Sequence, residues 1–136
     1  MKKEQLKYFP KTREELKEII KQRIKVEGNE VNLNNIDVSQ ITNMSYLFEN
    51  LDFNGDISDW DVSKVKDMHY MFFGCKSFNQ DISNWNVSKV KYMHSMFFGC
   101  EKFNQDISKW NVSNVKDFDS IFHYCQIEDK YKPKFK

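Results

Sequence analysis

The 23 residues Phe78–Cys100, FNQDISNWNVSKVKYMHSMFFGC, are written almost three times. Phe53–Cys75 reads FNGDISDWDVSKVKDMHYMFFGC, and Phe103–Cys125 reads FNQDISKWNVSNVKDFDSIFHYC. Phe53, Phe78 and Phe103 align at a spacing of 25, as do Trp60, Trp85 and Trp110. A fixed period of this length implies units that cannot bury their own apolar side and must stack on the next. A fainter copy precedes these three at a shift of 24. Asn32–Ser39 falls on Asp56–Ser63, and Ile41, Met44, Leu47 and Phe48 fall on Val65, Met68, Met71 and Phe72. Four copies therefore begin near 32, 54, 79 and 104.

Inside a copy, Asp-Ile-Ser-x-Trp suits a brief strand or extended turn. The second half has a helical pattern: Val65, Met68, Met71, Phe72 and Cys75 recur at the spacing of one helix face. Ser39, Ser63, Ser88 and Ser113 precede these segments as N-cap candidates. Asn50, Gly74 and Gly99 stand just past them, where a left-handed residue is wanted, and Tyr124 breaks the rule in the last copy. Ahead of the repeats, Thr12-Arg13-Glu14-Glu15 reads as a capping box, with Glu15 returning a bond to the Thr12 N–H. Leu16, Ile19, Ile20 and Ile24 then mark one face of a helix over 13–26 that ends at Gly28-Asn29 and lids the apolar end of the stack. The fold class expected is α/β: a short right-handed, leucine-rich-repeat-like solenoid of four coils, each with a brief strand or extended turn and a helix, behind an N-terminal capping helix. Its divisions are 1–31 (capping helix and linker), 32–125 (repeats) and 126–136, a Lys-rich cap and tail that leaves the period and ends disordered.

Phe, Trp and Tyr supply 21 of the 136 residues, enough for a chain this small to build a core. Residues 1–27 carry a net +4, residues 28–125 a net −5 and the tail +2. Basic ends on a mildly acidic body argue against a nucleic-acid groove. No apolar run is long enough to span a membrane. Met1-Lys2-Lys3-Glu4-Gln5 has a basic start without an apolar stretch behind it, which points to a cytoplasmic protein, with the cell surface as the alternative if a leader has been removed.

The motif FNxDISxWxVSxVxxMxxMFxGC, over about residues 32–125, resembles the repeat of BspA-type leucine-rich-repeat surface proteins, specifically the mycoplasma-type lipoprotein 25-residue repeat of unknown function. The resemblance implies a bacterial surface protein that binds other proteins, and it brings no catalytic residues. No lipobox cysteine is present to match the lipidated members.

Each candidate for chemistry has a plainer reading. Cys75, Cys100 and Cys125 share one repeat position with Leu51, so they read as an apolar interior column rather than a disulfide or zinc set. His69, His94 and Asp119 could form a ligand column, but two copied surface histidines suffice. Asp56, Asp81 and Asp106 suit turn caps better than calcium. The lysines at 64, 66, 89, 91 and 116 are a solvated face, and the Trp column is core rather than a stacking platform. Asn54, Asn79 and Asn104 should bond loop backbone above and below them.

Phe73 and Phe98 differ. Each follows another Phe that faces inward, and their equivalents Glu49 and His123 are polar, so they form a partly exposed pair flanked by Tyr70 and Tyr92. Either that pair is a contact surface or the tail plugs it with Tyr131 or Phe135. The reading for function is a non-enzymatic repeat scaffold that mediates protein–protein interaction, of a bacterial surface or adhesion type, through Phe73, Phe98, Tyr70, Tyr92, His69 and His94. The alternative is a structural or antigenically variable module without a fixed ligand. No catalytic, cofactor or metal residue is assigned, and no cofactor is expected. The expected partner is a protein rather than nucleic acid or membrane, and the chain is a monomer or an end-to-end dimer.

Overall fold

A computed structural model describes residues 5–136. The leader reading rests on Met1–Gln5, of which Met1–Glu4 lie outside the described residues.

One α-helix, α1 (Arg13–Glu27), starts where the Thr12 Oγ1 accepts the Glu15 N–H at 3.1 Å. Glu15 does not return the bond to the Thr12 backbone: its Oε1 lies 3.4 Å from the Thr12 hydroxyl instead. The helix ends at Gly28, φ 95°, whose N–H reaches the Ile24 carbonyl at 2.8 Å. Leu16 and Ile20 are buried in the core, with Ile19 and Ile24 packed at its margin. Arg23 is also buried: its guanidinium donates to Asn35 Oδ1 (2.8 Å) and the Asn32 carbonyl (3.2 Å), pairs with Glu27 and lies over the Tyr8 ring. Buried guanidinium needs such partners, and these fix α1 to the first copy. Arg13 does the same at the other end of α1, reaching the Ser45 carbonyl at 3.2 Å and its hydroxyl at 2.9 Å. Tyr8, in the extended segment before α1, bridges in parallel to Ile36.

The expected α/β solenoid of leucine-rich-repeat type is corrected here. Among the described residues α1 is the only α-helix, there is no strand, and a single 3-10 turn spans Asp129–Tyr131. No copy contains a helix, so the strand-plus-helix coil does not exist. The reason lies in where the backbone donors go. In the second copy the N–H groups of Met68, Tyr70, Phe72 and Gly74 donate to the carbonyls of Tyr92, His94, Met96 and Phe98 in the third, at 2.8–3.1 Å. The N–H groups between them, on Met71, Phe73 and Cys75, close three-residue turns onto Met68, Tyr70 and Phe72. An α-helix would need all of these donors for its own carbonyls four residues back. Tyr70 (φ 59°) and Gly74 (φ 73°) are left-handed, as are Tyr46 and Asn50, Ser95 and Gly99, and Ser120 and Tyr124. One left-handed residue in four ends any helix, yet a four-residue turn repeat places apolar side chains almost as a 3.6-residue helix does. Tyr124 keeps this conformation (φ 57°) although it is not glycine.

The same substitution of roles removes the serine caps. The N–H groups of Ser39, Ser63, Ser88 and Ser113 are held by the side-chain oxygens of Asp37, Asp61, Asn86 and Asn111, two residues earlier. These are Asx turns.

What the 25-residue period encodes is register between irregular turns. Asn43, Asp67, Tyr92 and Asp117 are joined by successive parallel bridges. Phe48, Phe72, Phe97 and Phe122 stack at 5.3, 5.5 and 5.7 Å between centroids, and Phe53, Phe78 and Phe103 run beside them at 6.2 and 5.8 Å. Six of these phenyl groups are fully buried, each contributing about 1.5–3 kcal/mol of transfer free energy. The Asn column carries the loops: Asn54 Oδ1 accepts the Asn79 N–H (2.9 Å) and Asn79 Oδ1 accepts the Asn104 N–H (3.0 Å).

The tail is hydrogen-bonded onto the fourth copy. Asn104 Oδ1 accepts the Glu128 N–H at 2.9 Å and the Ile107 N–H donates to the Tyr131 carbonyl at 3.0 Å. Residues 127–131 thus lie over 103–107 as a partial further copy, and Phe135 then stacks on Phe118 at 4.3 Å. The ring of Phe135 has a defined seat, and neither it nor Tyr131 covers Phe73 or Phe98.

Candidate functional site

The side chains that leave the core on one side of the copies form a connected line of rings. Tyr46 stacks on Tyr70 at 4.9 Å, Tyr70 on Phe73 at 5.0 Å, and Phe73 on Phe98 at 4.8 Å and 12°. Phe98 continues to His123 at 5.2 Å and meets Tyr124 edge-on at 5.6 Å. Beside them His69 and His94 stack at 4.6 Å, with Tyr46 and Tyr70 edge-on to His69. The left-handed backbone at Tyr46 and Tyr70 turns these residues outward while Met68, Met71 and Phe72 stay in the core. Phe73 and Phe98 are half-buried, and Tyr124 is 71 % exposed.

Of the residues singled out in the sequence, the structure joins Phe73, Phe98, Tyr70, His69 and His94. Tyr92 is set apart: it is exposed on the bridge between Asp67 and Asp117, and no ring of the described residues stacks on it. Tyr46, His123 and Tyr124 belong to the line and were missed. Tyr46 aligns with Tyr70 at the shift of 24, a signal present in the sequence; His123 stands in the sequence only as a polar equivalent of Phe98.

The histidines do not assemble a ligand set with Asp119. His69 Nδ1 is paired with Asp67 Oδ1 of its own copy, and the Asp119 N–H is taken by Asp117 Oδ1. His94 has no such carboxylate in its own copy, because Tyr92 stands where the other copies have Asn43, Asp67 and Asp117. Its Nδ1 is shielded from solvent, with Asp117 Oδ2 at 3.4 Å but poorly placed for a hydrogen bond. Among the described residues no three His, Cys, Asp or Glu side chains converge as a metal ion requires.

The other columns are structural. Asp56, Asp81 and Asp106 each accept the N–H of the serine two residues on, at 2.9–3.0 Å. Burial works against the charge on Asp56, but the Ser58 N–H and hydroxyl and the Asn34 amide hold its carboxyl below the usual range. Cys75 and Cys100 are buried free thiols donating to the carbonyls of Phe48 (2.8 Å) and Phe72 (3.0 Å). Burial pushes the Cys75 thiol up to about 12 and Cys100 further still; Cys125, half-buried, is raised for the same reason. Such thiols are poor nucleophiles. The indoles of Trp60, Trp85 and Trp110 are buried and donate inward to the carbonyls of Leu33, Ile57 and Ile82, which leaves no stacking platform. The lysines at 64, 66, 89, 91 and 116 are exposed. No helix of the described residues is long and apolar enough to cross a membrane.

The likeness to BspA-type leucine-rich-repeat surface proteins does not survive, since no copy holds the strand and helix that such a repeat requires. With it go the leucine-rich-repeat scaffold of adhesion type and the antigenic repeat module, both of which were built on that architecture. No match was found among curated proteins or among solved structures. A family model described as "Mycoplasma protein of unknown function, DUF285" matches residues 14–133, running from α1 through all four copies into the tail. The chain belongs to this family of mycoplasma proteins of unknown function.

Proposed function

We propose that this chain is not an enzyme and that it holds a protein partner against the ring line Tyr46–Tyr70–Phe73–Phe98–Tyr124. The observation that carries the reading is the continuity of these half-open rings over four copies. Clustered aromatic side chains bury a large area at small entropic cost and dominate the energetics of protein contacts. The engagement of the reactive groups supports the non-catalytic half: the thiols are buried and raised, the aspartates hold Asx turns, and His69 is paired with Asp67. The carboxylates of Asp67 and Asp117 beside the rings favour a partner that brings an arginine or lysine to them.

Affinity capture from cell extract with the natural chain and with a Phe73→Ala/Phe98→Ala chain tests the reading. The expected result is one or more proteins retained by the first and lost by the second, with the circular dichroism spectrum unchanged. An identical retained set from both chains rejects this surface.

A further inference from the structure

The backbone ladder between copies has a direction. From each copy, alternate N–H groups point to the carbonyls of the next: Met44, Tyr46, Phe48 and Asn50 to the second, Met68, Tyr70, Phe72 and Gly74 to the third, and Met93, Ser95, Phe97 and Gly99 to the fourth. Bonds run the other way at the start of each segment, from Lys66 to Thr42, from Lys91 to Lys66, and from Lys116 to Lys91, where the Asp117 N–H also reaches the Lys91 carbonyl at 3.4 Å. In the fourth copy the corresponding donors are the N–H groups of Phe118, Ser120, Phe122 and Tyr124, and the corresponding acceptor is the Lys116 carbonyl. None of these five groups has a hydrogen-bond partner among the described residues.

The side chains report the same gap. Val90, Met93, Phe97 and Cys100 are fully buried in the third copy, whereas Val115, Phe118, Phe122 and Cys125 are only partly so in the fourth. The tail covers the other half of this copy, with residues 127–131 over 103–107. Across 116–124 it supplies only side chains, Phe135 against Phe118 and the Lys132 ammonium 5.7 Å from the Phe122 ring.

The polarity of this edge decides what can fill it. Two such edges from two copies of the chain would set a row of four donors against another, so they cannot pair with each other. The acceptor-rich edge of the first copy has the complementary polarity, but α1 lies on that end, with Arg13 already on the Ser45 carbonyl. We infer that the 116–124 edge is a docking site for a segment of another polypeptide that adds itself as a further turn of the same motif. It offers carbonyls at alternate residues to Phe118, Ser120, Phe122 and Tyr124, gives one N–H to Lys116, and lays apolar side chains on Phe118 and Phe122. Strand addition to an open edge works through such main-chain bonds, with side-chain pockets setting specificity. The site lies on a different surface from most of the ring line, sharing only His123 and Tyr124, so it stands or falls separately from the reading above.

The probe is a synthetic peptide of residues 89–101, KVKYMHSMFFGCE, with a scrambled peptide as control. Amide hydrogen exchange of the natural chain is followed by NMR as the peptide is added. The expected result is slowed exchange at Phe118, Ser120, Phe122 and Tyr124 in alternation, with Ile121 and His123 unchanged because they already close local turns. Docking must displace the Phe135 ring, so Phe135→Ala should tighten binding by about three- to tenfold, the loss of one aromatic pair. No slowing at the four amides, or slowing by the scrambled peptide alike, overturns the inference. Slowing without any peptide that grows with protein concentration also overturns it, since the occupant would then be a second copy of the chain.

Discussion

The Trp85 ring lies over the Trp60 ring, 6.3 Å between centroids and 5° from parallel, and its indole N–H crosses to the Ile57 carbonyl at 3.1 Å. That carbonyl also accepts the Trp60 backbone N–H at 3.2 Å. One atom thus fixes both the local turn and the copy stacked upon it. Trp110 repeats the relationship with Ile82, and Trp60 itself with Leu33. The indole column is therefore a set of cross-copy hydrogen bonds as well as an apolar seam.

Replacing Trp85 with Phe removes one bond of that pair and part of a buried ring. The Ile57 carbonyl keeps the Trp60 N–H, so the cost is a lost second bond plus incomplete filling. We expect about 2–4 kcal/mol of destabilisation. Urea denaturation of Trp85→Phe against the natural chain measures it, and a cost under about 1 kcal/mol would deny the indole this role.

Gly74 and Gly99 occupy the same repeat position with left-handed φ of 73° and 75° but different surroundings. A Cβ at Gly99 would find its nearest neighbour, the Gly74 Cα, at 3.6 Å, whereas one at Gly74 would lie 2.1 Å from Asn50 Oδ1. Gly99→Ala should cost about 1–2 kcal/mol, the penalty of left-handed backbone alone. Gly74→Ala should cost more, and adding Asn50→Gly should bring it back to the Gly99→Ala value. Equal melting temperatures for the two single variants would refute the steric difference.

Asn79 receives the Asn104 N–H at 3.0 Å and the Gln105 amide at 2.9 Å on one oxygen. The 104–105 loop loses both of these bonds in Asn79→Ala, while the Asn79 N–H keeps its bond to Asn54, with an expected cost of about 1–2 kcal/mol. Hydrogen exchange should report it locally, with the Asn104 amide exchanging faster while the Met93 and Phe97 amides keep their protection.

The raised thiols give the fold an alkaline limit. An unfolded cysteine loses its proton near about pH 8.5, whereas Cys75 holds its own to about 12 and Cys100 higher. Below the unfolded value both states are protonated and the stability is fully present. As pH rises through this window only the unfolded chain gains by ionising, so stability is lost. Denaturation midpoints should fall from about pH 8 to about pH 10, and less steeply in Cys75→Ala. Under native conditions a thiol reagent should label Cys125 first, and Cys75 and Cys100 only as the chain unfolds.

Much of this arrangement can be read from the chain. The interior columns of Trp, Phe and Cys, the Asn ladder and the left-handed positions at Asn50, Gly74 and Gly99 follow from which residue types recur from copy to copy, and α1 with its Thr12 cap follows from local helical spacing. They are legible because identical side chains at a fixed period can satisfy one another only by lying together. The outward Phe73–Phe98 pair follows from the same logic, since two adjacent Phe residues cannot both face the core.

The backbone's choice of partner is not written in that pattern. Val65, Met68, Met71, Phe72 and Cys75 suit a helix face, but a four-residue turn repeat gives nearly the same spacing over so short a stretch. The decision rests on donors such as the Phe72 N–H, whose acceptor, the Met96 carbonyl, lies 24 residues further along the chain. Once neighbouring copies supply carbonyls at hydrogen-bond distance, every second residue is released from local bonding, and left-handed residues such as Tyr70 and Ser95 are held despite their cost. The tail follows the same rule: Ile127–Tyr131 has almost no sequence likeness to a repeat, yet the open Asn104 and Ile107 groups draw it into one. Composition and period chose the columns. Only three-dimensional proximity could choose which carbonyl each amide would meet.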